Sequence, residues 1–236
     1  MPKIAIVGAG FVGSTTAYAL LLQGVAREIV LVDVNGEKAK GEAMDLEHGL
    51  QFLPAAKVSY SSDYSACKDA DIVVVCAGAN QKPGETRLDL TKKNAAIFRG
   101  MIPKIAKAAP NTILLIITNP VDVLTRLSLK LSKFPPSRVI GSGTTLDTAR
   151  LRCLIGKHYG LHPSSVHAYI LGEHGDSSFP AWSTASIGGI DLKRYPEYDR
   201  KKLDVLYQET RKAAYEIISR KGATYYAIGI AVSMLC

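Results

Sequence analysis

Cysteine is scarce and unpatterned in this sequence: Cys67, Cys76, Cys153 and Cys236 form no CxxC pair and no metal-ligand spacing. That excludes a disulfide scaffold and predicts free thiols in a reducing compartment, with no bound metal. Long apolar runs are missing too. The longest, such as Ile113–Ile117, fall far short of a bilayer span. Aromatic residues make up only 7%, and they do not interleave with a basic stripe, so the footprint of a nucleic-acid binder is lacking. There is no internal repeat and no linker-like or low-complexity stretch.

What is there describes a packed protein. Of 236 residues, 47% are apolar and 21% charged, enough to bury one large or two smaller cores. The net charge of +8 is spread out: residues 1–118 carry 13 basic and 11 acidic side chains, residues 119–236 carry 16 and 10. The densest basic cluster (Lys193, Arg194, Arg200, Lys201, Lys202) is interrupted by acids and reads as a solvated face. A positive surplus also favours the approach of a small anionic substrate. Lys3 leads straight into an apolar run with no charged leader or cleavage site before it, so a cytoplasmic chain is expected.

Lys3–Val7 is a continuous apolar run rich in β-branched residues, of the kind found in buried parallel strands. Similar runs recur at Glu28–Val32, Lys57–Tyr60, Asp71–Ala77, Thr112–Thr118 and Val139–Gly141. Helical stretches separate most of them, at Thr15–Gln23, Lys38–Glu47, Thr91–Ala109 and Val121–Leu131. Such alternation predicts an α/β fold, a Rossmann-type doubly wound parallel sheet over residues 1–142. After about residue 145 the alternation breaks down. Strands near Val166–Leu171 and Pro180–Ser186 and a long helix near Arg200–Lys221 predict a second, α+β region, 143–236.

Gly8-Ala9-Gly10-Phe11-Val12-Gly13 leaves the first strand and opens the first helix, and Asp33 ends the second strand 20 residues beyond Gly13. In this context the glycines allow a tight turn, close approach of a pyrophosphate and close helix–strand packing. Asp33 is placed to accept hydrogen bonds from the adenosine ribose and to repel a 2′-phosphate. NAD is expected over NADP.

Gly172-Glu173-His174-Gly175-Asp176 sets a histidine among glycines, which a structural core histidine does not require. Asp147 and Arg150 lie three apart and share one helix face. A carboxylate such as Asp147 can fix the tautomer of His174 and stabilise its protonated form. An arginine such as Arg150 can grip a substrate carboxylate with two parallel hydrogen bonds. A structural Asp147–Arg150 helix pair is the alternative. Thr118-Asn119-Pro120-Val121-Asp122 puts an amide where ligands of doubly wound sheets bind. The polar stretch Gly78–Leu88 reads as a loop that closes over the site, with Arg87 reaching in, or as an ordinary surface loop.

Together, Gly8–Gly13, Asp33, Gly78–Leu90, Thr118–Asp122, Gly141–Arg150, Gly172–Asp176 and Lys221–Tyr226 resemble L-lactate dehydrogenase in order and spacing, over nearly the whole chain. The resemblance implies that His174 is the proton donor and acceptor with Asp147 as its partner. It implies that Arg150 binds the substrate carboxylate, Arg87 polarises the carbonyl, Asn119 hydrogen-bonds the reacting oxygen, and Thr224 lines the substrate pocket. Around NAD it implies Gly8, Gly10, Phe11, Val12, Gly13, Asp33, Lys38, Gly78, Ala79, Thr118, Asn119 and Ile228.

The sister malate dehydrogenases carry an arginine at the position of Gln81. A second substrate carboxylate buried against neutral Gln81 would stay unpaired, so pyruvate is expected over oxaloacetate. Trp182 and the stretch 172–178 also resemble the lactate branch. Arg152 and His167 match the fructose 1,6-bisphosphate site of allosteric bacterial members, which bind it across a subunit interface of a homotetramer. Members of the family continue beyond the position of Cys236 with further strands and a long helix. A truncated version or fragment, at most weakly active, is therefore expected. The alternatives are a malate or other 2-hydroxy acid dehydrogenase, an NAD-binding module without catalysis, and a basic interaction protein.

Overall fold

The computed structural model describes residues 2–79 and 84–236. These form two compact units, 1–142 with 225–236, and 143–224.

The first unit is built on β1 (Lys3–Val7), β2 (Glu28–Val32), β3 (Lys57–Ser61), β4 (Ile72–Val75), β5 (Ile113–Ile116) and β6 (Val139–Gly141). All pair in parallel, in the order β3-β2-β1-β4-β5-β6. The apolar runs are continuous because both faces of the sheet are covered. Ala5, Val7, Val73, Val75, Leu114 and Ile116 pack on one side with Phe98, Met101, Ile102 and Ile105 of α3 (Arg87–Ala108) and with Val121 and Leu124 of α4 (Val121–Ser132). Ile4, Ile6, Ile29, Leu31, Val74 and Leu115 face the other side. There they meet Ala17, Leu20 and Leu21 of α1 (Phe11–Leu22) and Ala43 of α2 (Gly36–His48). The period-2 alternation of the strands thus feeds two separate cores.

The helix Tyr226–Leu235 also packs in the first unit, with Val232 in the α1-side core. The sequence division assigned these residues to the second region. Close approach decides their place: a Cβ on Gly229 would sit 2.7 Å from Thr15 Cγ2, so the two helices cross where one has no side chain. Among the described residues no helix is long and apolar enough to cross a membrane.

The second unit comprises α5 (Thr145–Tyr159), β7 (Val166–His167), β8 (Ile170–Leu171), β9 (Phe179–Pro180), β10 (Ser186–Ile187), β11 (Ile190–Asp191) and α6 (Arg200–Lys221). Its core gathers Leu151 and Ile155 of α5, Val166, Ile170, Trp182 and Ile187, and Leu203 and Tyr207 of α6. The expected strand Val166–Leu171 is two short ones with different partners. β7 pairs with β10, and β8 with β9 in a hairpin whose connection, residues 172–178, carries His174.

Candidate active site

In the first unit every expected cofactor residue between Gly8 and Asn119 except Lys38 lies at the carboxyl edge of the sheet or in the adjoining first turn of α1. Gly8 follows β1 at φ +106°, and a Cβ there would lie 2.5 Å from Ala77 N. Gly13 presses α1 onto the turn so closely that a Cβ would come 1.9 Å from Gly8 O. At Gly10, by contrast, a Cβ would meet nothing within 4 Å. Gly10 is also the N-cap of α1, which has no side-chain cap and no acid in its first turn. An open glycine face on an uncapped helix N-terminus fits an anionic group such as a pyrophosphate. Phe11 is exposed and stacks on Tyr225 with centroids 5.1 Å apart, and Val12 is partly buried.

Asp33 does more than the sequence indicates. Its Oδ2 accepts from Ala9 N–H at 2.7 Å and its Oδ1 from Asn35 N–H at 2.9 Å, so it also holds the glycine turn. Each oxygen keeps lone-pair capacity for a ribose hydroxyl. Asp33→Ala is expected to weaken NADH binding about tenfold, the scale of one lost charge-assisted hydrogen bond, and to narrow the NADH/NADPH difference. Fluorescence titration with both cofactors checks it. Lys38 sits in the first turn of α2, its N–H capped by Asn35.

Asn94 was not singled out from the sequence. Buried in α3, it accepts from Ala79 N–H at 2.7 Å and donates to Ala79 O at 3.3 Å and Asn119 O at 2.8 Å. One amide therefore ties the segment after β4 to the segment after β5. Thr118 adds a second tie, its hydroxyl donating to Ala77 O at 2.8 Å. Gly78 fits between them: a Cβ there would lie 2.4 Å from Thr118 Cγ2.

Arg87 is the first residue of α3 and is exposed. The helix begins four residues before the expected Thr91 because Thr86 and Asp89 form a reciprocal capping box. Gln81 lies outside the described residues. Ile228 is partly buried against the α1-side core.

Three of the expected site residues of the second unit come together: Arg150 and His174 both lie within hydrogen-bond reach of Asp147. His174 Nδ1 donates to Asp147 Oδ2 at 2.5 Å, and Arg150 Nη1 donates to Asp147 Oδ1 at 3.3 Å. Side-chain exposures are 29% for His174 and 14% for Asp147 and Arg150. Burial pulls the Arg150 guanidinium below its ordinary value, and the Asp147 carboxylate acts in the opposite direction. Arg150 is thus a half-buried cation beside one carboxylate, suited to a second. Downstream of His174, Arg211 of α6 bonds Asp176, and Tyr207 donates to Ser178 O. Thr224 follows the Gly222 cap of α6 and is partly buried. Arg152 Nε donates to Ala168 O at 2.9 Å and its guanidinium lies 4.6 Å from the Tyr169 ring centroid, while His167 is exposed on β7.

Residues 2–141 match the lactate/malate dehydrogenase NAD binding domain, and residues 144–235 the alpha/beta C-terminal domain of the same family. The chain belongs to the lactate/malate dehydrogenase family. It is 52% identical over 237 residues to L-lactate dehydrogenase 1 of Peribacillus psychrosaccharolyticus, covering 99% of this chain and 74% of that protein. It is also 52% identical to the L-lactate dehydrogenase of Geobacillus thermodenitrificans, over 98% of this chain and 74% of that one. The ligand-bound minor L-lactate dehydrogenase of Enterococcus mundtii superposes with a TM-score of 0.95 at 47% identity, covering 99% of this chain and 76% of that one. The chain thus spans about three quarters of the length of these family members. It is an α/β oxidoreductase of this family, with NAD as its cofactor.

Proposed function

We propose that the chain interconverts (S)-lactate and pyruvate. The observation that carries this is the Asp147–His174–Arg150 cluster, on a chain about half identical to proteins named L-lactate dehydrogenase. Asp147 accepts a hydrogen bond from Nδ1–H, which fixes the ring tautomer and leaves proton exchange with substrate to Nε2. In the reducing direction the imidazolium gives its Nε2 proton to the carbonyl oxygen; in the oxidising direction neutral Nε2 takes the hydroxyl proton. NAD, when bound, takes up or supplies the hydride. Arg150 grips the substrate carboxylate, and Arg87, Asn119 and Thr224 orient the reacting end.

Gln81 sets the side-chain preference. A neutral amide leaves a second carboxylate without a counter-charge, which disfavours oxaloacetate. The deciding experiment follows NADH absorbance with pyruvate and with oxaloacetate. Pyruvate is expected to be the better substrate, and Gln81→Arg to shift the ratio at least about tenfold toward oxaloacetate. No oxidation with pyruvate, or an unchanged ratio in the variant, argues against this reading.

The finer assignments rest on the family resemblance: a cytoplasmic homo-oligomer that responds to fructose 1,6-bisphosphate at Arg152 and His167. The Arg152 guanidinium on α5 and the His167 ring on the adjoining β7 offer hydrogen-bond donors that support an anion there. Addition of the bisphosphate is expected to lower the KM for pyruvate.

A further inference from the structure

We infer that Thr144 and Thr148 are positioning residues for the acid–base step, docking the β8–β9 hairpin, whose connection carries His174, onto the helix that carries Asp147 and Arg150. The inference rests on the reading of His174 proposed above. It starts from the hairpin. Ala181 N–H donates to Tyr169 O at 2.8 Å, so residues 169 and 181 form a hydrogen-bonded pair. In an antiparallel ladder the next pair, Ile170 with Pro180, is then a non-hydrogen-bonded one. Proline, with no N–H to give, suits that place. The N–H and C=O of Ile170 consequently point away from β9, at the bare edge of a two-stranded sheet, and Ile170 is 2% exposed.

Two threonines meet both groups. Thr144 Oγ1 donates to Ile170 O at 2.6 Å, and Thr148 Oγ1 accepts from Ile170 N–H at 3.0 Å. Neither hydroxyl does the ordinary work of its position. Thr144 is the N-cap of α5, yet its side chain makes no capping bond. Thr148, one residue after Asp147, bonds the strand. A single turn of α5 therefore holds Ile170 through residues 144 and 148 and, four residues along, His174 through residue 147. With the hydroxyls in place the imidazole has one register against its carboxylate. Without them the hairpin can slide along α5, and a displacement of about 1 Å costs about a hundredfold in rate. Arg150 stays on α5 either way, so the loss falls on kcat and spares KM.

The test compares Thr144→Val, Thr148→Val and Thr148→Ser with the parent chain. Two readouts are taken: pyruvate kinetics, and the imidazole nitrogen NMR signal of His174, assigned by its loss in His174→Gln. Both valine variants are expected to lose about tenfold to a hundredfold in kcat with KM within about threefold, and to shift the His174 Nδ1 signal. Thr148→Ser is expected to retain both parent values. A valine variant with the parent kcat and the parent signal overturns the assignment, as does a serine variant that loses as much as valine. Should valine prevent folding, Thr148→Ala takes its place under the same criteria. If the parent chain does not oxidise NADH with pyruvate, the lactate reading falls. The His174 signal across the variants then decides the clamp alone.

Discussion

Replacing His174 by glutamine is expected to lower kcat for pyruvate reduction by about 10³-fold and to leave the NADH dissociation constant within about twofold. A positioned general acid contributes roughly 10²–10⁴ in rate, and glutamine removes that contribution with little else. The amide donates to Asp147 as the ring does, so the carboxylate keeps a neighbour in addition to Arg150. What the amide cannot do is release a proton at neutral pH. Residue 174 is also 29% exposed and sits in a hairpin connection, so the fold tolerates the change. The glycine turn and Asp33 belong to the first unit, which is why cofactor affinity is spared. Stopped-flow reduction of pyruvate together with NADH fluorescence titration reads both quantities. A variant within tenfold of the parent rate would remove His174 from the acid–base role.

Much of the first unit was legible because its signals are local. β1 and β2 fall where their β-branched runs lie, and the glycine turn follows β1 at once. The start of α3 was misplaced although its signal is equally local: Thr86 and Asp89, three apart, form a capping box. In the second unit the failures have a different cause. The run Val166–Leu171 is apolar almost throughout, and nothing in it marks where its two halves turn to different partner strands. Pairing partners are distant in sequence, so periodicity is silent about them. Asn94 was invisible for the same reason. Its bonds to Ala79 and Asn119 span 15 and 25 residues, and at the end of the polar run Thr91-Lys92-Lys93 it reads as part of a solvated helix face. By contrast, Asp147 and Arg150 share a helix turn, and the glycines around His174 advertise an accessible ring. The Asp147–His174–Arg150 cluster was therefore readable, while the threonines and the α6 side chains that hold its hairpin were not.

Arg150→Gln is expected to lower kcat/KM for pyruvate by about 10³-fold, with NADH affinity unchanged. Removing one member of a buried, hydrogen-bonded charge pair costs about 2–5 kcal/mol, and tenfold corresponds to about 1.4 kcal/mol. Arg150 approaches such a site: its side chain is 14% exposed, and burial already pulls its pKa down. A guanidinium nevertheless stays charged at neutral pH. Lysine is not a substitute, because a point charge lacks the planar fork that matches a carboxylate. The variant also separates the two readings of the Asp147–Arg150 pair. If arginine only braces Asp147, the loss must be the same for any carbonyl substrate, since the damage lies at His174. If it grips the substrate carboxylate, the loss must be large for pyruvate and small for its uncharged amide. The preference of the parent chain for pyruvate over the amide is then expected to collapse in the variant. Equal losses on both substrates would return Arg150 to a structural role and leave the carboxylate without its clamp.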